Sequence, residues 1–334
     1  MARGIERQVA ENRQDVTRLD GQFVSVPDRV QQNLRFLRNR IEVNVSLEVY
    51  TRSLNSGLYS GHPNGSQHGS GHGESGDPRG AWNQVASTAS THEWTREGRN
   101  AVRDALDGQQ TGAIASTAVG TGTDAAAPSD TALVAETGST FAYGVKDAAN
   151  ETRARSQYLF NEAGDGSPDP QEFGLESGGD TLMARATTSS AVALTPEQEL
   201  RVDITAEILG DAEGNSVITD AGEAAIADSI RSQATTIGLQ EIAWGTGTPT
   251  LDEQATGLAN EVLRKDALRS LDLMKIEVSA PQFNSEPAGQ PYDYTEAAVF
   301  DNQGRLVWLV GFSNDPYPKD QNTQFTTSIG FRII

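Results

Sequence analysis

Carboxylates are the most abundant side chains in this sequence that could do chemistry, because 46 of its 334 residues are Asp or Glu. Two close pairs, Asp165 with Asp169 and Asp211 with Glu213, have the residue types that general acid–base catalysis uses. In a chain so rich in carboxylates, however, such pairs arise without any function. The sequence has no Gly-x-Ser-x-Gly nucleophile motif and no Cys, so we predict no catalytic residue and no enzyme activity.

One acidic stretch begins like a calcium-binding loop, since Asp211, Glu213 and Asn215 stand at alternate positions. The sixth position of such a loop needs Gly and the twelfth needs Glu, but these positions hold Ser216 and Gly222. We therefore predict no calcium site of this kind. Loose binding of cations by the acidic loops stays open.

Three histidines, His62, His68 and His72, lie in a segment rich in Gly and Ser. Their irregular spacing and the lack of Cys do not match a zinc site, so we predict no metal ligand there. Residues 71–76 fit the pattern G-x-G-x-x-G, but no strand signal precedes them and Pro78 follows where a helix should run. We interpret 56–91 as a linker or exposed loop and predict no cofactor. The fourth histidine, His92, is expected at the surface beside a helix.

The charge balance excludes several partners, because 46 acidic and 26 basic residues give a net charge of −20. Such a surface repels nucleic acids and anionic membranes. The chain also opens without a signal-peptide pattern, and no apolar run approaches the ~20 residues of a membrane helix, so we expect cytoplasmic synthesis and no membrane insertion. Four of the basic residues are Lys, and an acidic, Lys-poor composition is typical of halophilic proteins. An ordinary acidic protein is the alternative.

The clearest pattern is an internal repeat around a Gly-Thr-Gly-Thr motif, which occupies residues 120–123 and again 245–248. Other residues recur at the same offset of 124 or 125 positions. Matched pairs include Asp104 with Asp228, Leu133 with Leu258, Glu136 with Glu261, and Glu172 with Glu296. A constant offset over so long a stretch predicts one domain duplicated in tandem, with copies at 92–210 and 211–334.

Each copy is predicted to begin with a helix, which Thr95 caps in the first copy and Thr219 in the second. A strand then runs into the Gly-Thr-Gly-Thr motif. Neither motif has the Lys and the following helix of a phosphate-binding loop, so we interpret its glycines as structural turn residues, which can adopt positive φ. These turn residues are Gly120, Gly122, Gly245 and Gly247.

Strand signals follow the motif in both copies. Candidate strands are 153–160, 182–187 and 200–208 in the first copy, and 271–278, 306–312 and 325–333 in the second. Turn sequences between them suit antiparallel hairpins. The predicted fold class is mainly β, with two tandem antiparallel β-sandwich repeats, each preceded by a helix, and an N-terminal α-helical, coiled-coil-like arm.

This arm, residues 1–55, has apolar positions at alternating spacings of four and three residues, which is typical of a coiled coil. The predicted oligomerisation residues are Ile5, Val9, Asn12, Val16, Leu19, Val30, Leu34 and Leu37. We expect a homo-oligomer, with a trimer favoured; two helices folded against their own domain are the alternative. Strict alternation from Ile41 to Tyr50 predicts a half-buried strand, whose partner could come from a sister subunit.

Taken in order, these motifs resemble a domain found in structural proteins of tailed phages, such as baseplate and tail-fibre components. The resemblance rests on the Thr-x-x-Gly helix start, the Gly-Thr-Gly-Thr motif, Thr-Ala-Leu at 131–133 and Glu-Ala-Ala-Val-Phe-Asp at 296–301. It covers residues 92–334, and the first copy departs from it at 172–176. Together with the acidic composition, the resemblance implies a tailed virus of a haloarchaeon.

The resemblance implies a non-enzymatic virion structural protein of the tail, which contributes to assembly and host attachment. Its partners would be further copies of itself, other virion proteins and the host cell surface. Attachment would use the regions 137–171 and 279–295, where the two copies differ most. The alternatives are a head-surface decoration or turret protein of the same kind of virus, and a tail-spike enzyme that cleaves host-surface polysaccharide.

Overall fold

Strands predominate in this protein. The computed structural model describes residues 8–10, 18–19, 22–23, 30–53, 81–87, 91–109, 113–141, 143–145, 151–159, 169–178, 181–195, 198–212, 214–231, 237–283, 285–288, 291–312, 316–320 and 323–334. Within these residues the secondary structure consists of 23 strands and two helices, so the predicted mainly β class is confirmed.

The helices are α1 (Arg96–Leu106) and α2 (Asp220–Arg231). The described strands are β1 (Gln8–Ala10), β2 (Arg18–Leu19), β3 (Gln22–Phe23), β4 (Val30–Ser53), β5 (Asn83–Ser87), β6 (Thr91–Trp94), β7 (Ile114–Gly120), β8 (Glu136–Phe141), β9 (Tyr143–Val145), β10 (Glu151–Leu159), β11 (Glu172–Ser177), β12 (Leu182–Thr187), β13 (Gln198–Asp211), β14 (Ser216–Ile218), β15 (Leu239–Gly245), β16 (Glu261–Asp266), β17 (Leu268–Asp272), β18 (Lys275–Gln282), β19 (Tyr292–Tyr294), β20 (Glu296–Asp301), β21 (Leu306–Gly311), β22 (Tyr317–Lys319) and β23 (Thr323–Ile333).

Two five-stranded antiparallel sheets, as far as the chain is described, have the same strand order. The first runs β6-β12-β11-β7-β8, and the second runs β14-β21-β20-β15-β16. In each sheet the strand before the helix lies at one edge, and the strand after the Gly-Thr-Gly-Thr loop lies at the other. The motifs that recur in the sequence therefore fall on matching strands of two similar sheets.

A third, nine-stranded sheet joins the two halves in the described part of the chain. Its central strand β4 pairs antiparallel with β13 and, over its N-terminal part, parallel with β23. Strands β10 and β9 continue the sheet beyond β13, strands β18 and β17 continue it beyond β23, and β1 and β5 also pair with β4. The last strands of both halves, β13 and β23, therefore enter one sheet on either side of β4.

The predicted α-helical conformation of the arm is wrong around Val30, Leu34 and Leu37, because Val30–Ser53 forms the single strand β4. From Ile41 onward its side chains alternate between buried and more exposed positions, as the sequence predicted for 41–50. Both neighbours of β4 come from the same chain, so the strand does not need a sister subunit. Pairing with strands on both sides stabilises this segment as a strand, although its local four-three spacing is typical of a helix.

The predicted coiled coil is wrong at each of its residues that the structure describes. Val30, Leu34 and Leu37 lie in β4, Val9 lies in β1 and Leu19 lies in β2. The remaining predicted oligomerisation residues, Ile5, Asn12 and Val16, lie outside the described residues. The spacing of these five residues therefore no longer supports a trimer, because they do not lie on helices.

The two helices pack between the small sheets and the nine-stranded sheet. Helix α1 contacts β12 of its own half and also β18 and β23 of the second half, whereas α2 contacts β21 of its own half and also β10 and β13 of the first. The helices contact each other as well. Each helix therefore buries apolar residues against strands of both halves, which couples the halves into one core.

Three further predictions need correction. The predicted strand 271–278 is a hairpin, because the chain turns at Leu273, whose φ is 47°. Residues 83–87 of the predicted linker form β5, which pairs with β4. The predicted attachment regions 137–171 and 279–295 contain β9, β10, β19 and parts of β8 and β18, so they are not continuous loops.

Candidate functional site

The glycines of the two Gly-Thr-Gly-Thr motifs lie against two buried glutamates. Glu172 begins β11 and Glu296 begins β20, and both are fully buried. Strand pairing places Glu172 opposite Gly120, the first glycine of its motif, and Glu296 opposite Gly245. The sequence identified these residues as recurring, but no local signal indicated that they meet.

In the first half, the Glu172 carboxylate accepts three backbone hydrogen bonds. Gly122 N donates to Oε2 at 3.2 Å, Val134 N to Oε1 at 2.8 Å, and Ala135 N to Oε2 at 3.2 Å. We call this arrangement of backbone donors around a buried carboxylate a carboxylate nest. Converging backbone N–H groups carry partial positive charge, and they therefore compensate the negative charge of the buried carboxylate.

A buried arginine completes the first nest. Arg185 Nε donates to Glu172 Oε1 at 2.6 Å, and Arg185 also bonds Asp130 Oδ2 at 2.8 Å. Its guanidinium further donates to the backbone oxygens of Ala125 and Asp124 at 3.3 and 3.1 Å. Burial acts to lower the pKa of Arg185, but its hydrogen bonds to Asp130 and Glu172 outweigh burial and raise the pKa above the ordinary value. The charged group therefore fastens the loop 121–135 to β11 and β12.

In the second half, the same three backbone donors surround Glu296. Gly247 N donates to Oε1 at 2.9 Å, Ala259 N to Oε2 at 2.9 Å, and Asn260 N to Oε1 at 2.8 Å. Each donor lies 125 residues after its counterpart in the first half. The two nests are therefore equivalent in their backbone bonds.

The second nest has no arginine at the matching position. Leu309, which pairs with Ala298, stands where Arg185 pairs with Gly174 in the first half. Ala255 stands at the position of Asp130. The second half packs its loop 246–260 against β20 and β21 by an apolar cluster of Ala243, Ala298, Phe300, Leu306 and Leu309 with Val217, Ala255 and Leu258.

Close approach, rather than the positive φ that glycine permits, explains the motif glycines. A Cβ at Gly122 would lie 2.4 Å from Glu172 Oε2, and one at Gly247 would lie 2.6 Å from Ala259 Cβ. A Cβ at Gly120 or Gly245 would lie 2.5 Å from the backbone oxygen of the loop that covers it. These four positions have ordinary φ, and each excludes a side chain because the loop or the carboxylate fills that space.

The Thr-x-x-Gly starts of both helices also form one recurring contact. Thr95 Oγ1 accepts from Gly98 N at 3.1 Å and donates to Leu182 O at 2.6 Å. Thr219 accepts from Gly222 N at 3.1 Å and donates to Leu306 O. The predicted caps are confirmed, and each hydroxyl also ties its helix to the neighbouring strand.

The tryptophans are mostly unavailable to a ligand. Trp94, Trp244 and Trp308 are at most 2% exposed, and the indole nitrogens of Trp244 and Trp308 donate to Thr327 and Asn39. Trp82 is half-buried beneath the Arg52 guanidinium, 4.3 Å from its ring centre. The structure thus uses most of these rings as core rather than as a platform for sugars.

The described residues form open surface clefts, and two of these differ in volume and lining. The larger, about 430 Å³, is lined by Gly108, Gln240, Asp266, Ala267, Arg269 and Asn302. The smaller, about 200 Å³, is lined in part by Glu42, Glu93, Arg99 and the exposed His92. Glu172 and Glu296 line neither of these clefts and are fully buried, so these two carboxylates are not exposed to a ligand.

The other residues singled out in the sequence do not converge. Asp169 accepts a hydrogen bond from Leu194 N at 3.0 Å, and Asp211 ends β13. Asp165, Glu213, His62, His68 and His72 lie outside the described residues. In the described part of the chain, no group of three or more His, Cys, Asp or Glu is placed to hold a metal ion.

Comparison of the chain with known protein families, with curated proteins and with solved structures finds no match. None of the described helices is both long and apolar enough to cross a membrane.

Proposed function

We propose that this chain is a non-enzymatic structural protein of a tailed virus, a tail baseplate or fibre component that assembles with further copies of itself and with other virion proteins. The observation that supports a scaffold role is the recurrence of the same sheet order and the same carboxylate nest in both halves. The sheets of such a body would hold its loops in place for contacts with partners or a host surface.

We also propose that the halves are tandem copies of one sandwich-like domain. Each half would comprise its small sheet, its helix and its strands in the nine-stranded sheet. Matching helix caps support this view, since Thr95 and Thr219 bond equivalent glycines and equivalent strand carbonyls. Duplication of a small sheet and its covering loop would produce both nests at once.

The geometry favours this role over a tail-spike enzyme. A glycosidase needs two carboxylates on either side of the scissile bond, roughly 5–10 Å apart. Here Glu172 and Glu296 are bonded to backbone inside separate sheets, and Asp266 is the carboxylate among the residues that line the larger cleft. Glu42 and Glu93 line the smaller cleft, of about 200 Å³, where Glu93 forms an ion pair with Arg99 at 3.9 Å. Glu172 and Glu296 therefore stabilise loops and are not available to a substrate.

Purified virus particles test the proposal. Quantitative mass spectrometry should find the chain in many copies per particle, and gold-labelled antibodies should bind the tail. Labelling of the head would replace the tail assignment by a head-surface protein. Absence from particles, or cleavage of host polysaccharide by the purified chain, would contradict the structural role.

The net charge of −20 supports a host that lives at high salt. Exposed carboxylates repel one another in dilute buffer, and salt shortens the Debye length to about 3 Å at 1 M. We expect the melting temperature to rise steadily from low salt to molar KCl. A melting temperature that does not change with salt would favour an ordinary acidic protein.

A further inference from the structure

Strand β17 is an exposed edge of the nine-stranded sheet. Within the described residues it pairs with β18 on one side and with no strand on the other. All five of its residues are exposed, and its pairing with β18 shows no bulge. Its outward backbone groups are therefore open to a further strand.

Large apolar side chains gather at this edge. Leu268, Leu271 and Leu273 are 70%, 41% and 80% exposed. They are three of the seven large exposed apolar residues in the described chain, yet they lie within six positions of one another. Proteins usually protect an edge strand with charged side chains, Pro or a bulge. Strand β17 has no Pro and no bulge, and its charged residues are one Arg and one Asp.

This hairpin has no net charge. Residues 268–277 contain two basic and two acidic side chains, so they are neutral in a chain of net charge −20. Two copies of so acidic a chain repel each other over most of their surface. The repulsion between two copies is smallest where the local net charge is zero, as it is at this hairpin. We therefore favour a second copy as the partner of β17.

The hairpin is also held in place before any partner binds. Arg269 forms an ion pair with Asp107 at 3.2 Å, and Arg103 donates to Leu273 O. At the turn, Ile333 N donates to Met274 O at 2.9 Å. A fixed edge loses little conformational entropy when another strand adds to it.

We propose that β17 is a self-association surface, where the same strand of a second copy pairs antiparallel and extends the sheet across both molecules. Such pairing requires a two-fold axis perpendicular to the sheet, so one residue faces its own counterpart. With Leu271 at the axis, leucine packs on leucine and Ser270 lies opposite Asp272 of the second copy. Centring on Ser270 instead would set Leu268 against a charged Asp272.

This contact is expected to be reversible. A pairing of five residues with a few leucines buries less than the 1,200 Å² or more of a typical stable interface. The isolated chain should therefore exchange between monomer and dimer with concentration, and repeated contacts would strengthen the assembly where many copies meet. The inference does not depend on the protein being a virion component.

Sedimentation velocity of the full chain over a range of concentrations, at molar salt, tests the surface. The unchanged chain should shift from monomer towards dimer, and Leu268→Lys with Leu271→Lys should abolish the shift. Val85→Lys is the matched control, because Val85 is 49% exposed on a different strand, β5, and this variant should still dimerise. Equal melting temperatures would show that the variants remain folded.

The lack of native Cys permits a second, independent test. Under mild oxidation, Leu271→Cys should form a disulfide-linked dimer, whereas Val85→Cys should stay mainly monomeric. A chain that remains monomeric at all concentrations would overturn the proposal. Dimerisation that survives the two lysines, or cross-linking at position 271 no greater than at position 85, would do so as well.

Discussion

The two halves hold the same buried carboxylate with the same three backbone donors, but they fasten the covering loop by different chemistry. In the first half, the guanidinium of Arg185 binds Glu172, Asp130 and two loop carbonyls. In the second half, Leu309 packs in an apolar cluster that includes Ala255. An ion pair at one place therefore corresponds to two apolar residues at the other.

This difference shows which contacts a carboxylate nest requires and which contacts can be replaced by others. Glu296 is buried with its three backbone donors and no arginine, so the donors suffice to hold a carboxylate. The arginine and the aspartate must be replaced together, because a buried charge without its partner lowers the free energy of unfolding. A buried ion pair and a pair of apolar residues, by contrast, often contribute similar stability. Four sets of variants test this comparison.

The largest effect is expected from Arg185→Leu, which places the second half's residue in the first half. It leaves Glu172 and Asp130 without their cation, so the free energy of unfolding should fall by about 3–5 kcal/mol. Denaturant unfolding measures this change. Lys275→Leu is the control, because the Lys275–Glu277 pair is about one third exposed and should contribute at most about 1 kcal/mol.

The double variant Arg185→Leu with Asp130→Ala places the residue types of the second half, Leu and Ala, at both positions of the first half. The double variant should recover part of the lost stability, since the uncompensated Asp130 charge is removed. A double variant as unstable as the sum of the two single changes would show that the two solutions are not interchangeable.

The second effect concerns the carboxylates themselves. Glu296→Gln should cost about 1–3 kcal/mol, because the amide group of Gln turns a donor towards backbone donors. Glu172→Gln should cost more, because it also removes one of the two acidic partners of Arg185. Equal costs in thermal or denaturant unfolding would contradict a contribution of the arginine to the first nest.

The third effect should be equal in the two halves. Gly122→Ala and Gly247→Ala each force a Cβ into space filled by the nest, and each should cost about 1–3 kcal/mol. Gly257→Ala meets no atom within 4 Å and should change stability by less than about 0.5 kcal/mol. A large cost in one half alone would mean that the nests are not equivalent.

The smallest effect is expected at the helix caps. Thr95→Ala and Thr219→Ala each remove a cap and a bond to a strand carbonyl, at a cost of about 1 kcal/mol. The Thr→Ser variants keep the hydroxyl and should cost less. Melting temperatures of the four variants, measured in the same buffer, give this comparison directly.

Elements with a local or periodic sequence signal could be predicted from the sequence. Both helices and their threonine caps follow from short patterns, because a cap bonds the backbone three residues away. The buried alternation after Ile41 follows from the period of a strand. The recurrence of motifs at a constant offset located the pairs of strands that occupy matching sheet positions.

Other features were decided by contacts between distant parts of the chain. The four-three spacing predicted a helix around Asn39, but this side chain is buried, donates to Gly330 O and accepts from Trp308 Nε1. Two partners of β4, the strands β13 and β23, lie more than 100 residues away, and no local pattern indicates that they pair with it.

The carboxylate nests show the same limit. The sequence determined which glycines and glutamates recur, whereas the tertiary structure decided that they meet, because strand pairing and loop closure bring Glu172 and Gly122 together across 50 positions. The covering loop then leaves no space for a Cβ, and this steric condition, rather than an unusual backbone angle, is the physical reason for glycine at those positions.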